Sequence, residues 1–287
     1  MQNLKEKIAE NKLPALFHLS KIGTYHNEIL LDNQPDYDLT SYEGLNQKEY
    51  ALNEIANISS DYQYIFHVDL HDLKQIDHYD NEEIGDISSK YFIKRIDRRL
   101  KDIEFKGQLL GDGFDIGGEL YKTIVDIEVV GLTKVDASQL SLYQELMLEG
   151  HLLELENNYR MSFFTYFTAL ESFVREKLEE IKNNTYKELH DKIENLSLRD
   201  KISILFKKEF NIENLDESTF WSTLSGSKLI KKAVDMRNDI AHGKHKDDLT
   251  QEIVDDCFLL MALLIGSLRD HIHDVNKIRK YLYPKIV

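Results

Sequence analysis

Between Arg160 and Ile181 the chain reads RMSFFTYFTALESFVREKLEEI, with apolar residues at Phe163, Phe167, Leu170, Val174, Leu178 and Ile181. Steps of three and four keep these positions on one side of an α-helix, and the stretch predicts a long amphipathic helix. The same period predicts a helix over Leu142–Leu155, separate or as the lead-in to the long one, and further helices over Leu198–Phe210 and Ser227–Arg237, the last with Leu229, Ile230, Ala233 and Val234 as its stripe. A final helix is expected from about Asp248 to His271. Its main stripe is Ile253, Cys257, Leu260, Leu264 and Leu268, but Phe258, Leu259, Met261, Leu263 and Ile265 add apolar residues on its other sides. A helix apolar all round needs cover on more than one side, and one of its partners is expected to be a second copy of the chain.

Upstream the period changes from 3.6 to 2. In YIFHVDL the residues Phe66, Val68 and Leu70 share one face, and in TIVDIEVVG so do Val125, Ile127 and Val129. The glycine-rich GQLLGDGFDIGGELY reads as a turn joining two strands, and a helix is allowed over Ser88–Lys101. The fold class that follows is α+β: an N-terminal mixed or mostly β module over residues 1–138, with an accessory or sensor role, then a C-terminal all-α bundle over 139–287.

Charge narrows the partners. The chain has 51 acidic and 36 basic residues, a formal net charge of -15, so most of its surface repels a polyanion. The exception lies between Lys228 and Lys246, where Lys228, Lys231, Lys232, Arg237, Lys244 and Lys246 outnumber Asp235 and Asp239. The single cysteine, Cys257, excludes an internal disulfide and a four-cysteine zinc site, which fits a reducing compartment. No basic-then-apolar leader opens the sequence, and its longest apolar run, CFLLMALLI, is far shorter than the roughly 20 residues that cross a bilayer. The expectation is a cytoplasmic protein with no membrane partner and no cofactor.

Within the basic stretch lies VDMRNDIAHGKHKDD. Arg237 and His242 are five residues apart, which on a regular helix sets them about 140° apart. Either the helix breaks between them, or each works with a residue from elsewhere. Gly243 supplies a natural stop just after His242. The RNDIAHG segment resembles the Arg, polar residue, spacer, His signature of the HEPN superfamily, and the likeness extends over about Ser141–His273. That family consists of small helical bundles, often metal-independent endoribonucleases of toxin, abortive-infection and CRISPR systems, in which two copies of the motif meet at a homodimer interface. Some members carry a nucleotidylated tyrosine two residues after the histidine; here that residue is Lys244.

The resemblance implies an endoribonuclease that cuts RNA by 2′-OH attack, as a toxin or anti-phage effector with an antitoxin or phage-derived trigger. Histidine suits general acid and base work near neutral pH, and the arginine fork holds phosphate oxygens. The expected catalytic set is Arg237, His242, Asn238 and Glu171, with Lys232, Lys244, His245 and Lys246 contacting RNA. Plainer readings stand beside these: Arg237 and His242 cap the helix and pair with Asp235 or Asp239, Glu171 is a solvated flanking residue, and the whole is a catalytically silent scaffold for RNA, nucleotide or protein. His67, Asp69 and His71 in HVDLH form a set that borderline metals accept, yet an ordinary half-exposed strand gives the same alternation, and no metal is expected. GDGFDIGG departs from the dinucleotide fingerprint in spacing and carries Asp112 and Asp115, which would repel a pyrophosphate.

Overall fold

The computed structural model describes residues 12–20, 22–31, 47–77, 88–112, 121–183, 186–187, 190–219, 221, 226–244 and 249–282. They divide into two compact units, one over Ile22–Ala137 and one in which the chain up to Lys21 joins Ser138–Val287. The β unit holds β1 (Gly23–Leu31), β2 (Gln47–Asn57), β3 (Tyr62–Asp77), β4 (Ser88–Asp97), β5 (Asp102–Asp112) and β6 (Tyr121–Thr133). Two antiparallel three-stranded sheets result, ordered β1-β6-β3 and β2-β5-β4. Val125, Ile127 and Val129 of β6 are fully buried, and they share one apolar core with Ile65 and Val68 of β3 and with Ile103 and Phe105 of β5. The period-two reading of this half is thus correct. Gly131 is required where β6 passes β3, since a Cβ there would lie 2.3 Å from the Tyr64 carbonyl oxygen.

Two details differ from the sequence reading. Ser88–Asp97 is strand β4 rather than part of a helix. Tyr91, Ile93 and Ile96 turn toward the core side, and the bulge between Ile93 and Arg95 lengthens the last step to three residues, which imitates a helical spacing. The glycine-rich segment is flanked by strands of different sheets, so it is not a hairpin; residues 113–120 lie outside the described residues.

The β unit ends in the one-turn helix α2 (Lys134–Ala137), and the helical unit comprises α1 (Leu13–Ser20), α3 (Leu142–Leu155), α4 (Tyr159–Lys182), α5 (His190–Glu194), α6 (Leu198–Phe210), α7 (Gly226–Ala241), α8 (Gln251–Arg269) and α9 (Val275–Leu282). Caps set the starts of the main helices: Ser141 N donates to Gln144 Oε1 at 3.0 Å before α3, and Asn158 Oδ1 accepts from Met161 N at 3.3 Å before α4. Every residue from Val254 to Leu268 is buried. Helices α1, α4, α6, α7 and α9 of the same chain supply that cover, so the apolar girth of α8 by itself does not require a second copy. The sequence reading lacked α1. Its Leu16 and Leu19 are fully buried, and Arg269 at the end of α8 donates to the carbonyls of Leu19 at 3.0 Å and His18 at 3.3 Å. No described helix is long and apolar enough to cross a membrane.

Candidate nucleic-acid site

The motif occupies the last turn of α7. His242 N donates to Asn238 O at 2.9 Å, Gly243 N to Ile240 O at 3.0 Å and Lys244 N to Asp239 O at 2.9 Å, while Gly243 has φ +73°. This is a Schellman closure with His242 as the C-cap and Gly243 as the left-handed residue after it. The helix therefore ends after His242 and does not break between Arg237 and His242. The two remain about 140° apart around the axis and roughly 7.5 Å apart along it.

Arg237, Asn238, His242 and Lys244 are all exposed. Arg237 Nη1 donates to Asn238 Oδ1 at 3.3 Å, and Lys244 Nζ binds Asp239 Oδ1 at 2.9 Å. That hydrogen bond, with the charge of Asp239, raises the Lys244 ammonium above its ordinary range. Lys232 is held differently: its Nζ lies 2.6 Å from Asp256 Oδ2, a carboxylate that is 10 % exposed. It neutralises a buried acid of α8 as well as facing solvent. His245 and Lys246 lie outside the described residues.

Glu171 is exposed on α4 and lines a cavity of about 690 Å³ with Arg175, Glu179, Lys182, Glu194 and Lys201 among its walls. No motif residue lines that cavity. In the first turn of α4 Arg160 Nη2 donates to Ile240 O of the motif helix at 3.4 Å; Glu171 lies a further ~16 Å along α4. Arg160 is the motif neighbour that the sequence reading missed. Its signal was a cation in the first turn of a helix, where the macrodipole opposes positive charge, so a tertiary partner had to favour it. That partner is the carbonyl end of α7, where Arg160 and Lys244 offset a partial negative charge that would otherwise repel a phosphate.

A second omission is a buried ion network in the helical unit. Lys12, 3 % exposed, is paired with Glu154 and, at 2.7 Å, with Asp255. Tyr166 Oη donates to Glu154 Oε2 at 2.8 Å, and Gln251 Nε2 to Asp255 Oδ1 at 3.0 Å. Burial by itself raises the Glu154 pKa, but the hydrogen bonds and charges of His151 and Lys12 outweigh it and hold the group at about 2. The adjacent acids Asp255 and Asp256 thus each receive a lysine, Lys12 and Lys232, from separate parts of the chain. Between those acids and the rest of α8, Cys257 is buried and its thiol is pushed up by burial.

In the β unit, His67 Nε2 and Asp69 Oδ2 are paired at 2.8 Å, while His71 sits at the bulge between Leu70 and Asp72. The three do not converge. As the side chains stand, no group of three His, Cys, Asp or Glu among the described residues meets the geometry of a metal site.

Residues 139–274, just under half of the chain, match the family model described as RiboL-PSP-HEPN. No curated protein and no solved structure matches the chain. The matched span contains α3, α4, the motif end of α7 and all of α8. This C-terminal segment, with Arg237 and His242 exposed on the last turn of α7, therefore belongs to the HEPN superfamily, an RNA-related group of helical domains.

Proposed function

We propose that the protein is a metal-independent endoribonuclease that acts as a homodimer, in the cytoplasm, as a toxin or anti-phage effector under an antitoxin or a phage-derived trigger. The observation that carries this reading is the placement of Arg237 and His242, both exposed at a helix end that faces solvent, yet separated by about 140° on an unbroken helix. One protomer presents a single motif histidine to a phosphate, whereas the reaction needs a base and an acid. Two motifs facing each other supply both. His242 of one protomer takes the 2′-OH proton, the oxygen attacks the adjacent phosphorus, and His242 of the second protomer protonates the leaving 5′-oxygen. Arg237 stabilises the charge of the phosphorane, Asn238 orients Arg237, and Lys232, Lys244, His245 and Lys246 position the strand through its phosphates. Glu171 has a place in this scheme only if the second protomer brings it to the motif.

The test is cleavage of total RNA in EDTA by the wild type and by His242→Ala. The wild type is expected to leave 2′,3′-cyclic phosphate or its hydrolysed form, with 5′-hydroxyl ends, and His242→Ala to lose about 10²-fold or more. Mixed dimers of His242→Ala and Arg237→Ala subunits are expected to recover no more than partial activity. Equal activity of the His242→Ala homodimer would refute the mechanism. RNA binding without cleavage by the wild type would favour the silent scaffold.

A further inference from the structure

Between Ser88 and Lys106, a span that covers β4, its turn and the first half of β5, the chain holds seven lysines and arginines against three acids. The rest of the β unit, within Ile22–Ala137, holds four against twenty-one. Such a cationic stretch in so acidic a unit needs an account. Two of the seven have structural work: Arg98 Nε donates to Phe66 O at 3.3 Å, and Lys101 Nζ to Tyr62 O at 2.5 Å. Lys94 is paired with Glu104. Lys90 and Lys106 are exposed and have no ion-pair partner among the described residues, and the Arg95 side chain is 71 % exposed with Asp97 at 3.7 Å.

These cations surround apolar side chains that face solvent. Phe92 of β4 is 59 % exposed and Ile55 of β2 is 70 % exposed, on the outer face of the β2-β5-β4 sheet. Across that face Phe92 is opposite Lys106, while Ile55 is opposite Glu104, which is opposite Arg95. Opposite side chains of an antiparallel pair stand about 5 Å apart, and Lys90, two residues before Phe92, lies about 7 Å along the same face of β4. An exposed ring flanked by cations at that spacing suits single-stranded nucleic acid, in which a base stacks on the ring and the neighbouring phosphates meet the cations. Two other uses fit less well. Lysines on an edge strand discourage pairing with another edge, but that role does not call for an uncovered Phe92. The core of a protein interface is depleted in lysine, whereas here Lys90 and Lys106 flank the ring.

We propose that the outer face of the β2-β5-β4 sheet binds single-stranded RNA, with a base stacked on Phe92 and backbone phosphates held by Lys90, Lys106 and Arg95. The choice of RNA rests on the function proposed above; the face itself does not depend on cleavage. The test uses the full chain carrying His242→Ala, in EDTA, and a labelled, uridine-rich single-stranded RNA of about 12 nucleotides, followed by fluorescence anisotropy. Phe92→Ala is expected to weaken binding about tenfold and Phe92→Tyr to retain it. Joint Lys90→Gln and Lys106→Gln substitution should weaken it as well, and should flatten the slope of log affinity against log salt by about 1.4. Lys74→Gln, at an exposed lysine of the other sheet, should change neither. The same RNA made with 5-iodouridine should cross-link on irradiation to the peptide that carries Phe92. Far-UV circular dichroism checks that each variant keeps its strands. Failure to bind below about 100 μM, unaltered affinity and salt slope in the folded Phe92 and lysine variants, or cross-links confined to the helical unit would overturn the face. So would an acidic peptide that displaces the RNA at equal affinity, which would assign the face to a protein partner. Failure of the proposed function reads differently: the wild type does not cleave, yet the Phe92 cross-link still forms.

Discussion

Replacing Lys12 with methionine removes a buried cation while preserving an unbranched chain over the rings of Tyr166 and Phe258, which lie 5.8 and 5.2 Å from its ammonium. Glu154 and Asp255 are then left in the bundle without their lysine. Breaking one side of a buried ion pair costs about 3–5 kcal/mol. The low pKa of Glu154 points the same way, although the hydrogen bond from His151 contributes to it ahead of Lys12, so Lys12 accounts for only part of that depression. For a helical unit of this size the loss should lower the midpoint by roughly 6–20 °C. The sole tryptophan, Trp221, is buried against Phe206 in the helical unit, so its fluorescence follows that unit during thermal or guanidinium unfolding. The sign with pH is fixed as well. A depressed carboxyl stabilises fully above its unfolded value and loses that contribution as pH falls through the folded one. In Lys12→Met, protonation of Glu154 relieves the buried charge, so the deficit should be largest above about pH 4.5 and should close toward pH 2. A deficit under about 1 kcal/mol at neutral pH, or one as large at pH 3 as at pH 7, would refute the assignment.

Arg237→Lys should fail in RNA cleavage nearly as His242→Ala does, because a point charge cannot reproduce the two-pronged grip of the guanidinium; activity in EDTA measures this. Lys232→Ala should destabilise the helical unit by about 1–3 kcal/mol by removing a cation from the buried Asp256 carboxylate, whereas Lys244→Ala should leave the melting temperature in place and weaken RNA binding. Gly243→Ala should cost about 1 kcal/mol through backbone strain alone, since a Cβ there meets nothing within 4 Å; denaturant unfolding reads the difference. Cys257 should resist thiol-specific labelling in the folded protein and react once it is denatured, which a mass shift detects.

Helix α6 was legible to the residue, because its apolar period is regular and caps bound it, while α3 was legible in extent but not in its separation from α4, which the turn before the Asn158 cap supplies. The motif was legible too, down to the stop at Gly243. Strand β4 was misread because one bulge converts a two-residue period into a three-residue step. The apolar circumference of α8 was visible, but not the whole of its cover, part of which comes from α1 at the far end of the sequence. Asp255 and Asp256, adjacent in an apolar helix, need buried cations, a demand that the sequence reading did not draw from them. Their partners Lys12 and Lys232 depend on tertiary geometry, and no local pattern points to them. The same holds for Arg160, whose partner is a backbone carbonyl on another helix.

The pairing of Lys12 with Asp255 also constrains the order of events during synthesis. Its two halves are 243 residues apart, and ribosomes add about 5–20 residues per second, so Lys12 and the apolar side of α1 emerge on the order of ten to fifty seconds before their counterparts. The β unit, made in the interval and possessing its own core, can be complete while the helical unit still lacks α8. A nascent chain arrested before Gln251 therefore carries a finished sheet pair and an unsatisfied α1, the kind of exposed apolar segment that chaperones recognise.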